Sequence, residues 1–539
     1  MKVRPLSAAA LAVALLSASP AARPAATSAQ GDVLRIGMTT EPNSLNPLFS
    51  LDDYESYVDR FMFDVLVCAD ASGRGFVPRL AAVVPTLRNG GISKDGLSLT
   101  YHLRRNVKWQ DGVPFSSRDV KFSYDAIVNP ANNVPNRHGY DLIASVATPD
   151  AWTVVVHLKQ PYAPAVSELF SDGGLGAILP AHLLAQYPDL NRAAFNQQPV
   201  GTGPYKLLRW DRGQSVELVR NDDFYLGKPK IERISIRFIP DEATAIDQLR
   251  TRELDMFAQG SVNAYGQIRT LPGIKAALVD IHGASSLLIN TTRPAFRDVR
   301  VRRAIAYAID KRAIVERFAF GAGTVATEDL PSFMWAYDPH VPRYDYDPAR
   351  ARRLLADAGW KPGRDGIALK GGQPLSAVLA FAQNNATARL IGVQLQSYLR
   401  DVGVDVQLKG YNSAMMFASY AGGGIYQSGN FDLAWYTMTL GIDPASASRF
   451  SCDSVPPNGQ NYSRYCNREM DAAQRAGLTH YDQATRRRAY ARSQELLARD
   501  VPVVFVFWPK DIEVYQPRLH GFDPNPVNPS WNCEVWELR

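Results

Sequence analysis

Hydrophobic and polar residues alternate along Val33-Leu34-Arg35-Ile36, more regularly from Leu97 to Leu103, and again along Ile234-Ser235-Ile236-Arg237-Phe238. A period of two predicts strands with one buried face. Asn89-Gly90-Gly91 and Asp111-Gly112 punctuate this half as turns. In the second half the period lengthens. Asp298 can cap a helix whose apolar residues fall at Val301, Ala304, Ile305, Ala308 and Ile309. Asp347 before Pro348 predicts another helix start, with Leu354, Leu355 and Ala358 on one side and Gly359 as its stop. From Ala386 to Val402 one stripe carries Ile391, Leu395, Tyr398, Leu399 and Val402. Gly403 ends that helix, and Val404 to Leu408 alternates as a strand. A helix feeding a strand across one glycine is an α/β unit. A last helical pattern runs from about Tyr481 to Arg499, and Val503-Val504-Phe505-Val506-Phe507-Trp508 reads as a strand buried on both faces. No internal repeat and no Ser/Gly-rich linker divides the halves, which favours two lobes joined by ordinary strands.

The N-terminus follows a different rule. Lys2 and Arg4 precede an apolar run from Leu6 to Ala18 interrupted only by Ser7 and Ser17, and small residues from Ser19 to Ala29 offer cleavage points. This is the layout of a secretory signal peptide over residues 1–29, with an apolar core too short to span a bilayer. No Cys stands near the cleavage region to be acylated, and no later stretch approaches a membrane span. The 539 residues allow about three to four domain-sized units. The formal charge of +6 becomes about +3 once Lys2, Arg4 and Arg23 leave with the leader, and no run of five basic residues exists. A nucleic-acid partner is therefore not expected. The densest basic cluster, Arg486-Arg487-Arg488, lies in a helical pattern with Asp482 and Glu495 and reads as a solvated face.

Four cysteines remain after export. Cys452 and Cys466 flank Pro456-Pro457-Asn458-Gly459, which has turn chemistry throughout, and an oxidising compartment favours a disulfide between them. Metal ligation is the competing reading, but there is no CxxC and no nearby His. The even count leaves Cys68 and Cys533 as a second pair by default. The chain carries no HExxH, GxSxG, SxxK or P-loop, and its eight histidines are scattered, so no enzymatic activity, cofactor or metal is expected.

What stands out is an ordered set of phrases: Glu41-Pro42-Asn43-Ser44-Leu45-Asn46-Pro47; Trp109-Gln110-Asp111-Gly112-Val113-Pro114-Phe115; Pro199-Val200-Gly201-Thr202-Gly203-Pro204-Tyr205; Val301 to Asp310; and Ala351 to Trp360. Physically, Gly201 and Gly203 suit a tight turn, and Trp109, Phe115 and Phe122 suit a core. Taken in order, the phrases resemble the family-5 extracellular solute-binding proteins, the dipeptide- and oligopeptide-binding proteins of ABC importers, over roughly residues 32–539.

That resemblance implies an α/β, two-lobed periplasmic binding protein with a hinge and an inter-lobe cleft. The larger lobe is expected over 30–287, with a β-rich subdomain at about 51–198, and again over 508–539; the smaller lobe is expected over 288–507. The expected function is capture of peptides in a closing cleft and delivery to membrane permease subunits, by a periplasmic monomer. A non-peptide solute, such as an oligosaccharide or a metal chelate, is the alternative in the same fold. Segments similar to the family's ligand-lining parts place Asp52, Asp53, Tyr54, Trp335, Asn384, Asn385, Trp435, Tyr436, Thr437, Thr439 and Asp443 at the site. In peptide binders of this family an Asp three residues before an Asp-Pro pair meets the ligand's ammonium. Here the pair is Asp443-Pro444 and that earlier position holds Leu440. Asp443 itself also reads as a helix N-cap, with Pro444 at the first helical position.

Overall fold

The computed structural model describes residues 33–50, 53–135, 137–174, 176 and 178–539. The signal peptide expected over 1–29 and the candidate Asp52 lie outside them, as does the side chain of Asp53. Among the described residues no helix is long and apolar enough to cross a membrane.

A twelve-stranded sheet organises the chain. Its strand order is Asp405–Tyr411, Ser376–Ala382, Leu433–Thr439, Gly283–Ile289, Val503–Tyr515, Met256–Gly260, Val33–Met38, Arg233–Phe238, Ser215–Arg220 and Tyr205–Asp211, with Lys275–Asp280 and Gly323–Val325 also paired to the strand Val503–Tyr515. That strand belongs to two half-sheets. Its first part pairs antiparallel with Gly283–Ile289, from Leu288 opposite Val503 to Ser285 opposite Phe507. Its second part pairs with Lys275–Asp280 and Met256–Gly260. The apolar run read from the sequence is therefore only half of a thirteen-residue strand. Past Trp508 its burial breaks, because the strand leaves one core before entering the next. The chain thus runs from one half-sheet to the other at Ile281-His282 and again at Trp508-Pro509.

The smaller lobe has three layers. Leu287, Leu379, Leu433, Trp435 and Val504 face one core, with residues from the helices Val299–Ala308, Pro348–Asp357 and Ala386–Asp401. Ala284, Leu288, Tyr436, Met438 and Phe505 face the other, against Met470, Tyr490, Leu496 and Leu497 of the helices Arg468–Thr479 and Gln483–Asp500. The predicted caps form: the Asp298 side chain accepts from Arg300 N, and the Asp347 side chain from Arg350 N. Gly403, at φ +96°, turns the chain from helix to strand, where an L side chain is disfavoured. In the larger lobe, Ser98–His102, Thr153–Leu158 and Ile143–Asp150 form a separate three-stranded antiparallel sheet.

The cysteines divide. Cys452 and Cys466 form a disulfide. Cys68 and Cys533 are free and buried, which corrects the second pairing. Both border a small void with Arg60, Asp64, Arg79 and Asp172, so sharing a lobe brings them to one neighbourhood without joining them. Non-reducing peptide mapping should recover a Cys452–Cys466 cross-link, with Cys68 and Cys533 alkylated only after unfolding. Recovery of Cys452 as a free thiol in the oxidised protein would contradict this.

Several acids are buried outside ion-pair distance of any cation among the described residues. Burial, reinforced by Asp329, pushes the Glu328 carboxyl up to about 9, and both of its oxygens lack hydrogen-bond partners among the described residues. Burial likewise raises Asp329 to about 6 and Asp59 to about 7. Such a group holds its proton more tightly folded than unfolded, so stability declines as pH rises from the unfolded to the folded value. Glu328→Gln should flatten that decline between pH 4.5 and about 9 and raise the unfolding midpoint more at pH 8 than at pH 5. Thermal melts across that range test it; parallel pH profiles for variant and wild type would refute it.

Candidate functional site

Among the described residues, two cavities lie between the lobes. One, of about 350 Å³, sits beside the crossings: Ser56, Tyr57 and Arg60 line it from the larger lobe, Thr439 to Ile442 from the smaller, and Gln259, His282 and Asp511 close its end. The other, of about 940 Å³, opens between the larger lobe's His138, Tyr162 and Glu168 and the smaller lobe's Asp443 and Arg449. They share Gly173, Gly174 and Gly441 as a common wall. A Cβ on Gly173 would stand 2.3 Å from the Ser167 carbonyl and 3.3 Å from Ile442, so a side chain there would collide with its own loop and crowd the opposite lobe.

The larger lobe presents its wall on the helix Asp53–Met62, whose Val58, Phe61 and Met62 are buried in the core. The recurrent phrases fix where that helix ends. Gly203 N donates to Met62 O at 2.8 Å, and a Cβ on Gly201 would lie 1.9 Å from the same oxygen, so only glycine permits this approach. Gln110 Nε2 donates to Met62 O (3.1 Å) and Tyr205 O (2.7 Å), while its Oε1 accepts from Gly201 N (2.9 Å). The two phrases around Gln110 and Gly201 therefore meet as a mount for a cleft-lining helix.

The smaller lobe supplies the end of the strand Leu433–Thr439. Trp435 is buried against Phe507, and Tyr436 packs on the opposite face among Phe417, Tyr426 and Tyr462. Thr437 and Thr439 are exposed, with Thr437 Oγ1 3.0 Å from Ser285 Oγ. Leu440 is buried and donates its N–H to His282 O at 2.5 Å, tying the strand end to the crossing. The other expected residues are spread out. Tyr54 is half-buried and its hydroxyl accepts from Thr39 Oγ1 at 3.2 Å. Asn384 is exposed and accepts from Ser413 Oγ at 2.7 Å, whereas Asn385 caps the helix Ala386–Asp401 through Ala388 N.

Asp443 is not a helix cap. The nearest helix begins at Ala447 with Ser446 at its N-cap, and Asp443 is instead held by Arg486 Nη2 at 2.5 and 2.7 Å and by the Tyr490 hydroxyl at 3.3 Å. Arg486 also lies over the ring of Trp335, 5.3 Å from its centroid. The solvated-face reading thus holds for Arg487 and Arg488, which are exposed, and fails for Arg486, which is buried. Two side chains 43 residues apart satisfy each other, a pairing with no local signature. Across the cleft, burial, with Asp443 adding to it, pushes Glu168 up to about 8, and the Tyr162 hydroxyl donates to it.

Away from the crossings the lobes touch again. Tyr481 Oη donates to Gly96 O (3.1 Å) and Tyr162 O (3.0 Å), and Ala163 N donates to Leu478 O (2.7 Å). Sequence reasoning missed Arg449, Glu168 and Tyr481. Of these only Arg449 carried a local signal, as a lone cation within Ala445-Ser446-Ala447-Ser448-Arg449-Phe450.

Two lobes with cavities between them are the architecture of a substrate-binding protein. Residues 75–459 match the bacterial extracellular solute-binding proteins, family 5 (middle region), and the chain belongs to this family, the solute-binding components of ABC importers. It is 27% identical over 530 residues to the oligopeptide-binding protein AppA of Bacillus subtilis, covering 97% of this chain and 94% of that protein. It is 28% identical over 442 residues to the glutathione-binding protein GsiB of Salmonella typhimurium, covering 80% and 81%. Among solved structures, NikZ from Campylobacter jejuni in complex with Ni(L-His) matches with TM-score 0.77 and 28% identity over 94% of this chain and 99% of that one. AppA of B. subtilis in complex with a nonapeptide matches with TM-score 0.76 and 26% identity over 95% and 99%.

The Asp443–Arg486 pair yields a stability prediction. Removing one partner leaves a buried charge uncompensated, so Asp443→Asn should cost roughly 3 kcal/mol in denaturant unfolding. The double variant Asp443→Asn/Arg486→Met should lose less than the sum of its single variants. Additive losses would show that the two groups are not coupled.

Proposed function

We propose that this protein captures peptides between its lobes and passes them to the permease of an ABC importer. The observation that carries this reading is the pair of adjoining inter-lobe cavities, about 350 and 940 Å³, the smaller lined by Ile281 and His282 of the first crossing. Their size is on the scale of ordinary ligand pockets, and their walls come from both lobes, so a bound ligand adds contacts that favour the closed arrangement. Likeness to the oligopeptide-binding AppA supports peptides as the cargo. In this reading the hinge is Ile281-His282 and Trp508-Pro509, the larger lobe is residues 33–280 with 510–539, and the smaller lobe is residues 283–507. Of the expected residues, Thr439 lines the smaller cavity and Asp443 the larger, with Trp435 and Tyr436 supporting the strand that carries Thr439. A leader over residues 1–29 delivers the protein, as a monomer, to the periplasm.

A non-peptide solute is the second reading. Its support is Leu440 at the position of the ammonium anchor, together with likeness to NikZ, solved with Ni(L-His).

If peptides bind, their N-terminus gains little. Leu440 is apolar, Asp443 is committed to Arg486, and Glu168 is uncharged over most of the range below about 8. N-acetylating a tripeptide should therefore change affinity less than tenfold, about 1.4 kcal/mol. Calorimetry on a matched pair decides it: a loss of about a hundredfold would reveal an ammonium anchor, with Asp52 and Asp53 the first positions to substitute.

A further inference from the structure

The larger cavity contains a cation with unmet bonding capacity. Arg449 projects from the short helix Ala447–Phe450 and lines the space between the lobes. One terminal nitrogen donates to Thr439 O, and the Tyr436 hydroxyl is within hydrogen-bonding reach. Its Nε is buried with no partner, and no carboxylate lies within ion-pair distance of it among the described residues. A guanidinium has five donors in a planar fork and cannot shed its charge, so leaving it unmatched in a partly enclosed site is unfavourable.

The nearby carboxyls are Glu168 across the cleft and Asp329 within the smaller lobe. Glu168 engages the Tyr162 hydroxyl, and Asp329 is hydrogen-bonded by Ser446. Asp443, on the same stretch of chain, is paired with Arg486. Asp141 and Asp453 also line the cavity but stand exposed at its rim, and Asp471 pairs with Arg468. The remaining titratable groups facing the cavity, His138 and Arg475, offer no negative charge.

Building on the inter-lobe cavity as the ligand site, we propose that Arg449 is its anion receptor and that the ligand presents a carboxylate to it. Thr439 O orients the fork, leaving its other donors for a bidentate carboxylate, the geometry in which arginine binds most strongly. In a peptide this group is the C-terminal carboxylate or an acidic side chain; in a non-peptide solute it is an acid of similar reach. The polarity of recognition is thereby reversed relative to an ammonium-anchored site: charge capture lies with an arginine and the other end of the ligand is read by neutral groups.

The test is calorimetry on the full mature protein, freed of co-purified ligand by unfolding and refolding, with trialanine, its C-terminal amide, and free histidine as a non-peptide carboxylate. Wild type should bind the acid at least about tenfold more tightly than the amide. Arg449→Gln should reduce that ratio to about twofold or less, and Arg449→Lys should restore part of it. A purely structural arginine would weaken acid and amide alike and leave the ratio unchanged, which overturns the assignment while the peptide reading stands. Binding of histidine, lost in Arg449→Gln, with no binding of either peptide supports the receptor and overturns the peptide reading. No saturable binding of any probe to refolded wild type, with native melting behaviour recovered, overturns both.

Discussion

Everything in this molecule hangs on one strand that must satisfy two sets of partners. Val503–Tyr515 gives its first half to the smaller lobe and its second half to the larger, and the register shift against Gly283–Ile289 marks where the exchange begins. Main-chain groups buried in a sheet need partners, so neither half can slide or detach cheaply. A cleft walled by both lobes follows from this arrangement.

The walls of that cleft are rigid for different reasons. On the larger lobe, the end of the helix Asp53–Met62 is held by glycine backbone and by the Gln110 amide, which joins three stretches far apart in the chain. On the smaller lobe, the Asp443–Arg486 pair and the ring of Trp335 anchor the segment leaving the strand Leu433–Thr439. Both devices remove polar groups from competition for ligand. Thr439 remains on the wall of the smaller cavity and Arg449 on that of the larger, the one suited to neutral hydrogen bonding and the other to a negative charge.

Much of this fold was legible in the sequence wherever cause and effect lie within one or two turns of chain. The caps at Asp298 and Asp347, the glycine break at Gly403 and the alternation of the strand Ser98–His102 are local. So is the Cys452–Cys466 closure across a short turn-rich loop. The candidate site was read less well. Trp435 and Tyr436 were placed near the cleft by phrase resemblance, yet burial of their rings on opposite faces of one strand makes them support rather than surface.

By itself, then, the sequence determined the α/β alternation, several helix starts and stops and the short disulfide loop, because periodicity, capping and turn chemistry act between neighbours, while the resemblance of its ordered phrases pointed to the family. Only the tertiary structure decided that Arg486 turns inward to Asp443 while Arg487 and Arg488 stay in water, and that Cys68 and Cys533 remain apart. The same holds for the strand shared between lobes and for Arg449, which has no carboxylate within ion-pair distance among the described residues. Each of these depends on which distant group lies opposite, and that is set by how the sheet orders its strands rather than by any residue's neighbours in the chain.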